Sequence, residues 1–283
     1  MPSILAQSIR AAEMAEEDLL SALAWQVDLG ADEAIAEHPI DRFAAQEAAT
    51  SAAGAMPRGP GGSSGAADVA RRAQPEMATP RALAEAAPTL DALHQMLAQW
   101  DGSELRKGAR NCVFADGLPG AHVMIIGEAP GADEDRQGKP FVGRAGQLLD
   151  RMLGAIGLDR AAEDPAKAAY IANILPWRPP GNRTPSEQEV ALFLPFIERH
   201  IALAGPRLLF TIGNTPTKAL LATQTGIKRM RGRWRHHPAS GLPLLPSFHP
   251  AYLLRQPSEK RLSWQDLQAL RRALDGETPQ IEG

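Results

Sequence analysis

Glu128, Asn173, Asn214 and His249 sit at or just beyond the ends of four short apolar runs, a spacing that would bring a carboxylate, two amides and an imidazole together. The runs are VMIIGE from Val123, YIANIL from Tyr170, LLFTIG from Leu208 and LPLLPSF from Leu242. Short continuous apolar runs are expected of strands buried on both faces. In an open parallel sheet, ligands bind beyond the carboxyl ends of the strands, so these polar groups converge on one edge. The first run enters GEAPGADEDRQGKPFVG, residues 127–143. Its tight-turn glycines and Pro130 accompany an acidic cluster (Glu128, Asp133, Glu134, Asp135) and one aromatic, Phe141. The second run enters WRPPGNRTP, the third ends in Gly213-Asn214, and the fourth in Ser247-Phe248-His249-Pro250.

Two familiar chemistries are excluded. A phosphate-cradling Walker loop needs Gly, four residues, then Gly-Lys-Ser/Thr, but here Gly138-Lys139 is followed by Pro140 and the position five before Gly138 is Asp133. A Gly-x-Gly-x-x-Gly fingerprint is absent as well, which argues against a nicotinamide or flavin enzyme. What remains suits a planar, neutral, hydrogen-bonding ring, with Phe141 to stack on it and backbone and amide groups to read its edge.

The elements that must position these groups alternate along the chain. Helical stretches are predicted at 146–156, at 186–203 with Glu187 and Glu189 in the first turn, and at 215–221. Thr89 is placed to cap a further helix through Leu93, Met96 and Leu97 to Trp100. Strands alternating with helices imply a parallel sheet layered between helices. All of this falls within residues 81–283. Residues 51–80 are rich in Gly, Pro, Ala and Ser, with Val69 and Thr79 the only β-branched residues, and read as a flexible linker. Residues 1–50 begin with Ile4, Leu5, Ile9, Met14, Leu19, Leu20 and Leu23 on an Ala-rich helical pattern and read as a helical, acidic appendage.

The net charge of −3 averages two unlike parts. Residues 1–80 hold 5 basic and 12 acidic residues, and the remainder hold 25 and 21. Lys228, Arg229, Arg231, Arg233 and Arg235 supply most of the basic excess and read either as phosphate contacts or as a solvated loop. Cys112 is the single cysteine, which excludes an intrachain disulfide and any zinc or iron–sulfur site built from several thiolates of this chain. No apolar run approaches the roughly 18 to 20 residues of a membrane-spanning helix, and the N-terminus lacks the pattern of a secretion signal. A soluble, cytoplasmic protein is expected.

The motifs GEAPG…ED…G.PFVG.AG.LL, N…RPPGNR.P, RG and HPAYLLR, in that order, resemble the uracil-DNA glycosylases, and within them the family 4 branch of bacteria and archaea. The resemblance runs from about Leu90 to Leu274 and leaves residues 1–80 largely outside it. It implies a Rossmann-like α/β fold: a three-layer α/β/α sandwich with a central four-stranded parallel sheet. It also implies a base-excision repair enzyme that flips deoxyuridine out of DNA and hydrolyses its N-glycosidic bond, leaving free uracil and an abasic site. By this resemblance, His249 would donate to the uracil oxygen on which charge develops, Asn173 would read the Watson–Crick edge, and Phe141 would stack on the ring. Gly127 and Ala129 would line the same pocket.

Glu128 and Glu134 match acidic positions of the family's pocket, where a carboxylate could orient water or brace the loop. Another branch places the Asp credited with activating water where this chain has Ala129, so the general base stays open between the two glutamates and simple electrostatic positioning. Leu253 and Leu254 occupy the place from which the family pushes an apolar wedge into the base stack, although both would also serve as core at a helix start. Arg231-Gly232 matches the family's Arg-Gly pair, which with Arg229, Arg233 and Arg255 would contact DNA. Arg178 and Arg183 are further candidates, Arg183 equally a partner for an acidic neighbour. His236 and His237 match no site of the family and are weak evidence for metal.

The family usually holds a [4Fe–4S] cluster on four cysteines. Here Ser103 and Arg106 lie about where the first pair would be, Trp177 precedes Arg178-Pro179-Pro180, and Phe193 takes the helix position. No cofactor is therefore expected, and Trp177 and Phe193 are expected to fill the vacated volume. The resemblance also implies uracil-containing DNA, single- or double-stranded, as partner, a monomer at the bacterial nucleoid, and no membrane. A repair or replication partner acting through residues 1–80 is a further expectation. Two other readings fit the same residues: a catalytically silent DNA-binding relative, and a glycosylase for another deaminated base.

Overall fold

The structure, a computed structural model, describes residues 79–281. The appendage at 1–50 and the linker up to residue 78 lie outside the described residues. Thr79 and Pro80, assigned above to the linker, instead open the first helix. Thr79 Oγ1 accepts the Ala82 N–H at 3.2 Å, and Pro80 stands in the first turn, where its missing N–H costs nothing.

Three helices, α1 (Pro80–Ala86), α2 (Leu90–Gln99) and α3 (Leu105–Gly108), precede β1 (Ala115–Gly117) and β2 (Val123–Gly127). The chain continues through α4 (Ala132–Gln137), α5 (Arg144–Gly154), β3 (Ala169–Asn173), α6 (Glu187–Ala204) and β4 (Leu208–Ile212). Then follow α7 (Asn214–Leu220), α8 (Ile227–Met230), β5 (Arg235–His236), β6 (Pro243–Ser247), α9 (Pro250–Arg255) and α10 (Lys260–Leu274). Thr89 caps α2 as the sequence predicts, accepting the Ala92 N–H at 3.2 Å. Ser186 and Glu189 cap α6 reciprocally, at 3.2 and 2.8 Å, which satisfies two backbone donors that the helix cannot. The segment 127–143, read above as a loop, contains the short helix α4.

The sheet order is β1-β3-β2-β4-β6-β5. The four inner strands are parallel, and β1 and β5 add antiparallel edges at either side. These edges extend the four-stranded expectation to six. Their sequences, Ala-Asp-Gly and Arg-His, are too short and too mixed in polarity to show a strand period. Side chains alternate across the sheet. Met124 and Ile126 join Leu93, Phe193, Phe196 and Ile197 on one face, while Val123 and Ile125 join Leu149, Leu153, Leu267 and Leu270 on the other. The result is three layers, α/β/α. Among the described residues, no helix is long and apolar enough to cross a membrane.

Register decides where function can sit. Gly127 pairs with Asn173, Ile126 with Thr211, and Ile212 with Ser247, so the four parallel strands finish side by side. The residues that follow them open onto one edge.

Candidate active site

A cavity of about 570 Å³ lies at that edge. Glu128, Ala129, Glu134, Phe141, Asn173, Asn214 and His249 all line it. The four strand ends named from the sequence therefore meet in one place.

Asn173, the last residue of β3, is 5% exposed, and neither its Oδ1 nor its Nδ2 has a hydrogen-bond partner. A buried amide without partners costs about 1 to 3 kcal/mol, so its exception demands an explanation. Its surroundings are built to keep it so. A β-carbon on Gly127 would lie 2.4 Å from Asn173 Oδ1 and 2.5 Å from Phe141 Cζ, so only glycine lets both side chains approach the strand end.

Phe141 is buried and held at φ +54°, a left-handed conformation that a phenylalanine rarely adopts. Arg160 is one restraint, donating from Nη1 to the Pro140 carbonyl and from Nη2 to the Phe141 carbonyl, both at 2.9 Å. Asp116 and Asp150 pair with the same guanidinium at 3.1 and 2.7 Å. Gly146 is the second restraint, since a β-carbon there would collide with the Phe141 carbonyl oxygen. The Phe141 ring centroid lies 5.6 Å from that of His249, tilted by 36°.

His249 follows β6 and caps α9. Its Nδ1 accepts the Ala251 N–H at 3.1 Å, so that nitrogen carries no proton. Burial, reinforced by the Arg255 charge, pushes its pKa down to about 4. The imidazole is therefore neutral near pH 7, with its proton on Nε2, available to donate.

The two glutamates separate. Glu134 accepts the N–H groups of Gly131, Val142 and Gly143 at 3.1, 3.0 and 2.9 Å, and so braces the Phe141 loop. Both of its oxygens are committed to backbone, which is the loop-bracing alternative of the sequence reading. The Glu128 carboxylate accepts one hydrogen bond, from Thr215 Oγ1 at 2.5 Å. Ala129 lines the cavity and offers no side-chain acceptor.

Several DNA-contact expectations change. Arg231 faces inward: its guanidinium pairs with buried Asp266, donates to the Leu262 carbonyl at 2.6 Å and stacks 5.7 Å above the Phe248 ring. Gly232 has φ +73°, donates to the Pro246 carbonyl at 2.9 Å, and leaves a β-carbon only 2.7 Å from Asp266 Oδ1. The Arg-Gly pair is thus a tertiary joint. Leu253 is 1% exposed within the core and cannot serve as a wedge; Leu254 is half-buried. Arg183 makes a bidentate pair with Glu189 at 2.8 and 2.7 Å, and Arg178 donates to Asn182 Oδ1 at 2.7 Å. Arg255 lines the cavity mouth and is exposed, as are Arg229, Lys228 and Arg233. Lys228 and Arg229 line an open groove that shares Asn214 with the cavity.

His236 and His237 make local hydrogen bonds, to the Gly241 carbonyl at 2.9 Å and with Ser240 Oγ at 2.8 Å. Among the described residues, no cluster of His, Cys, Asp or Glu could hold a metal ion. Trp177 and Phe193 are 4% and 0% exposed, and Trp100 meets Phe193 edge-on at 5.8 Å. Arg106 Nε donates to the Ala98 carbonyl at 3.0 Å, and Ser103 is buried. Burial pushes the Cys112 thiol up to about 12, so it stays protonated.

Sequence reasoning missed Thr215 and Arg160. Arg160 lies 20 and 19 residues from the carbonyls it grips, a separation with no sequence signature. Thr215 did follow a strand end, and its hydroxyl was the available signal.

Residues 114–268 match the family model described as the Uracil DNA glycosylase superfamily. The chain is 35% identical over 175 residues to the type-4 uracil-DNA glycosylase of Pyrobaculum aerophilum, covering 60% of this chain and 86% of that protein. It is 34% identical over 169 residues to the type-4 uracil-DNA glycosylase of Sulfurisphaera tokodaii, covering 57% and 74% respectively. For the type-4 uracil-DNA glycosylase of Thermotoga maritima the values are 35% over 164 residues, 56% and 80%.

Proposed function

This chain belongs to the uracil DNA glycosylase superfamily, and from that premise we propose that it releases uracil from DNA by hydrolysing the N-glycosidic bond of deoxyuridine. One observation carries the reading. Asn173 presents an amide donor and an amide acceptor, both buried and both without partners, to the cavity that His249 and Phe141 also line. Uracil's edge alternates carbonyl and N–H, which is the complement an amide needs.

The chemistry follows from where charge moves. The C1′–N1 bond breaks with its electron pair leaving on the base, and negative charge spreads to the uracil oxygens. The Nε2 proton of neutral His249, which lines the cavity, would donate to that charge, an interaction worth most in a site that excludes water. Water forms the new bond to C1′, one of its protons passes to Glu128, and the departing uracil anion takes up a proton from solvent. Glu128 has the carboxylate with an uncommitted oxygen, whereas Glu134 holds the loop. Phe141 stacks on the flipped ring. Arg255, Lys228 and Arg229 lie at the mouth and its neighbouring groove, where they would meet phosphates. Leu254 is the remaining wedge candidate.

The chain would work without an iron–sulfur cluster. Ser103, Arg106, Trp177 and Phe193 do not fit one: none has a thiol, and Trp177 and Phe193 occupy the space as packed core. Protein purified without oxygen should contain negligible iron and lack broad absorbance near about 400 nm.

The deciding assay is excision from a single-uracil oligonucleotide in EDTA, wild type beside His249→Ala, with abasic sites read by alkaline cleavage. Cleavage by wild type that falls by orders of magnitude in the variant is expected. Folded wild type that binds the oligonucleotide without cleaving it would leave a silent DNA-binding relative, and release of hypoxanthine or xanthine instead would identify another lesion.

A further inference from the structure

Glu128 extends from the end of β2 into the cavity, and a half-exposed carboxylate on a two-carbon stem has no reason to hold one orientation by itself. The structure supplies one. Thr215 Oγ1, in the first turn of α7, donates to Glu128 Oε2 at 2.5 Å. Among the described residues, that carboxylate makes no ion pair and no other side-chain hydrogen bond. Its second oxygen has no such partner, and the residue lines the cavity.

Thr215 is itself rigidly placed. Thr217 Oγ1 donates to the Gly213 carbonyl at 2.8 Å and meets Thr211 Oγ1 at 2.9 Å, with both threonines fully buried. These bonds staple the first turn of α7 onto β4. Gly213, at φ +111°, brings the same turn against His249, whose Cβ would be 3.4 Å from a β-carbon there. One turn therefore backs the imidazole and grips the carboxylate.

We infer that Thr215 is a positioning residue for hydrolysis: its hydroxyl fixes one Glu128 oxygen so that the other meets the attacking water. The inference rests on the glycosylase reading above and adds to it the group that orients the water-facing carboxylate. A misplacement of about 1 Å at a reacting group can cost roughly 100-fold in rate, and a released Glu128 would explore more than that.

Thr215→Val keeps the shape and removes the donor. Under single turnover on a uracil oligonucleotide, release should slow roughly 10- to 100-fold. Binding to the same oligonucleotide carrying 2′-fluoro-deoxyuridine, whose glycosidic bond resists cleavage, should stay within about twofold, since the hydroxyl acts on the water and not on the base. Thr215→Ser should recover most of the rate. Adding Thr215→Val to Glu128→Ala should cause no further loss, because the hydroxyl acts only through that carboxylate. Thermal midpoints of all variants establish that they are folded. A wild-type rate in Thr215→Val, failure of serine to restore it, or additive losses in the double variant would each overturn the inference alone. Absence of release by folded wild type would remove the glycosylase reading and this inference with it.

Discussion

The Oδ1 of Asn173 lies 2.4 Å from where a β-carbon on Gly127 would stand, so the missing side chain of one residue is the room occupied by the other. The two are register partners at the ends of β2 and β3. Sheet pairing thus sets an amide donor and acceptor at the cavity wall, and glycine opposite lets them stay there.

Gly127→Ala should lower uracil release about 100-fold while destabilising the fold by about 1 to 3 kcal/mol, the range for an overpacked buried site. The added methyl group must displace either Asn173 or Phe141, since both lie within 2.5 Å of it. Single-turnover excision beside thermal unfolding measures the two effects. A variant as active as wild type would mean that Asn173 and Phe141 can move without consequence.

Asn173→Ala should separate function from stability. Removing a buried, unpartnered amide should leave the thermal midpoint unchanged or raise it, while release falls about 100- to 1,000-fold for want of an edge-reading group. A large drop in midpoint would show that the amide has partners in solution.

His249 and His200 make stability depend on acid in one direction, and buried His237, whose pKa is also lowered by burial, acts in the same sense. His249 and His200 have pKa values lowered to about 4 and about 3, chiefly by burial, from an ordinary value of 6.5. Below that ordinary value the unfolded chain takes up protons that the folded one refuses. Their contribution is complete above it and is lost as pH falls toward the folded values, at about 1.4 kcal/mol per pH unit for each histidine. Denaturant unfolding at pH 7, 6 and 5 should show this decline, and His200→Phe should make it shallower. For the same reason the rate of release should show no inflection near pH 6.5 from His249 and should fall only as pH approaches about 4.

Arg231 and the exposed pair Lys228 and Arg229 should respond oppositely. Arg231→Met leaves Asp266 buried without its cation, and breaking such a pair costs about 3 to 5 kcal/mol. Replacing Lys228 and Arg229 by alanine should leave the thermal midpoint unchanged but weaken DNA binding and flatten its dependence on salt by roughly one unit per lost phosphate contact. Salt titrations of binding, paired with melting curves, test both halves. A flattened salt slope in folded Arg231→Met would return that residue to the DNA surface.

Much of this protein is legible without coordinates. Continuous apolar runs from Val123, Tyr170, Leu208 and Leu242 are too short for helices and read as strands buried on both faces, and alternation with helices points to a parallel sheet. Thr89 and Ser186 mark helix starts because their hydroxyls satisfy local N–H groups. Asn173 and His249 follow because strand ends are where a parallel sheet binds ligands, and Phe141 because it is the one aromatic of the segment leaving β2. All of these rest on neighbours in the chain or on a general property of sheets.

The remainder depends on contacts between residues distant in sequence. The positive charge of Arg231 is plain in a basic run, but only the fold brings Asp266 within reach, 35 residues later, and turns a presumed phosphate contact inward. Leu253 and Leu254 are alike as letters, and helical rotation alone sends the first into the core. Glu128 and Glu134 were indistinguishable until one was found holding three backbone N–H groups and the other a single threonine 87 residues away. Residue type sets what each group can do; tertiary packing decides which groups are already engaged and which remain free for substrate.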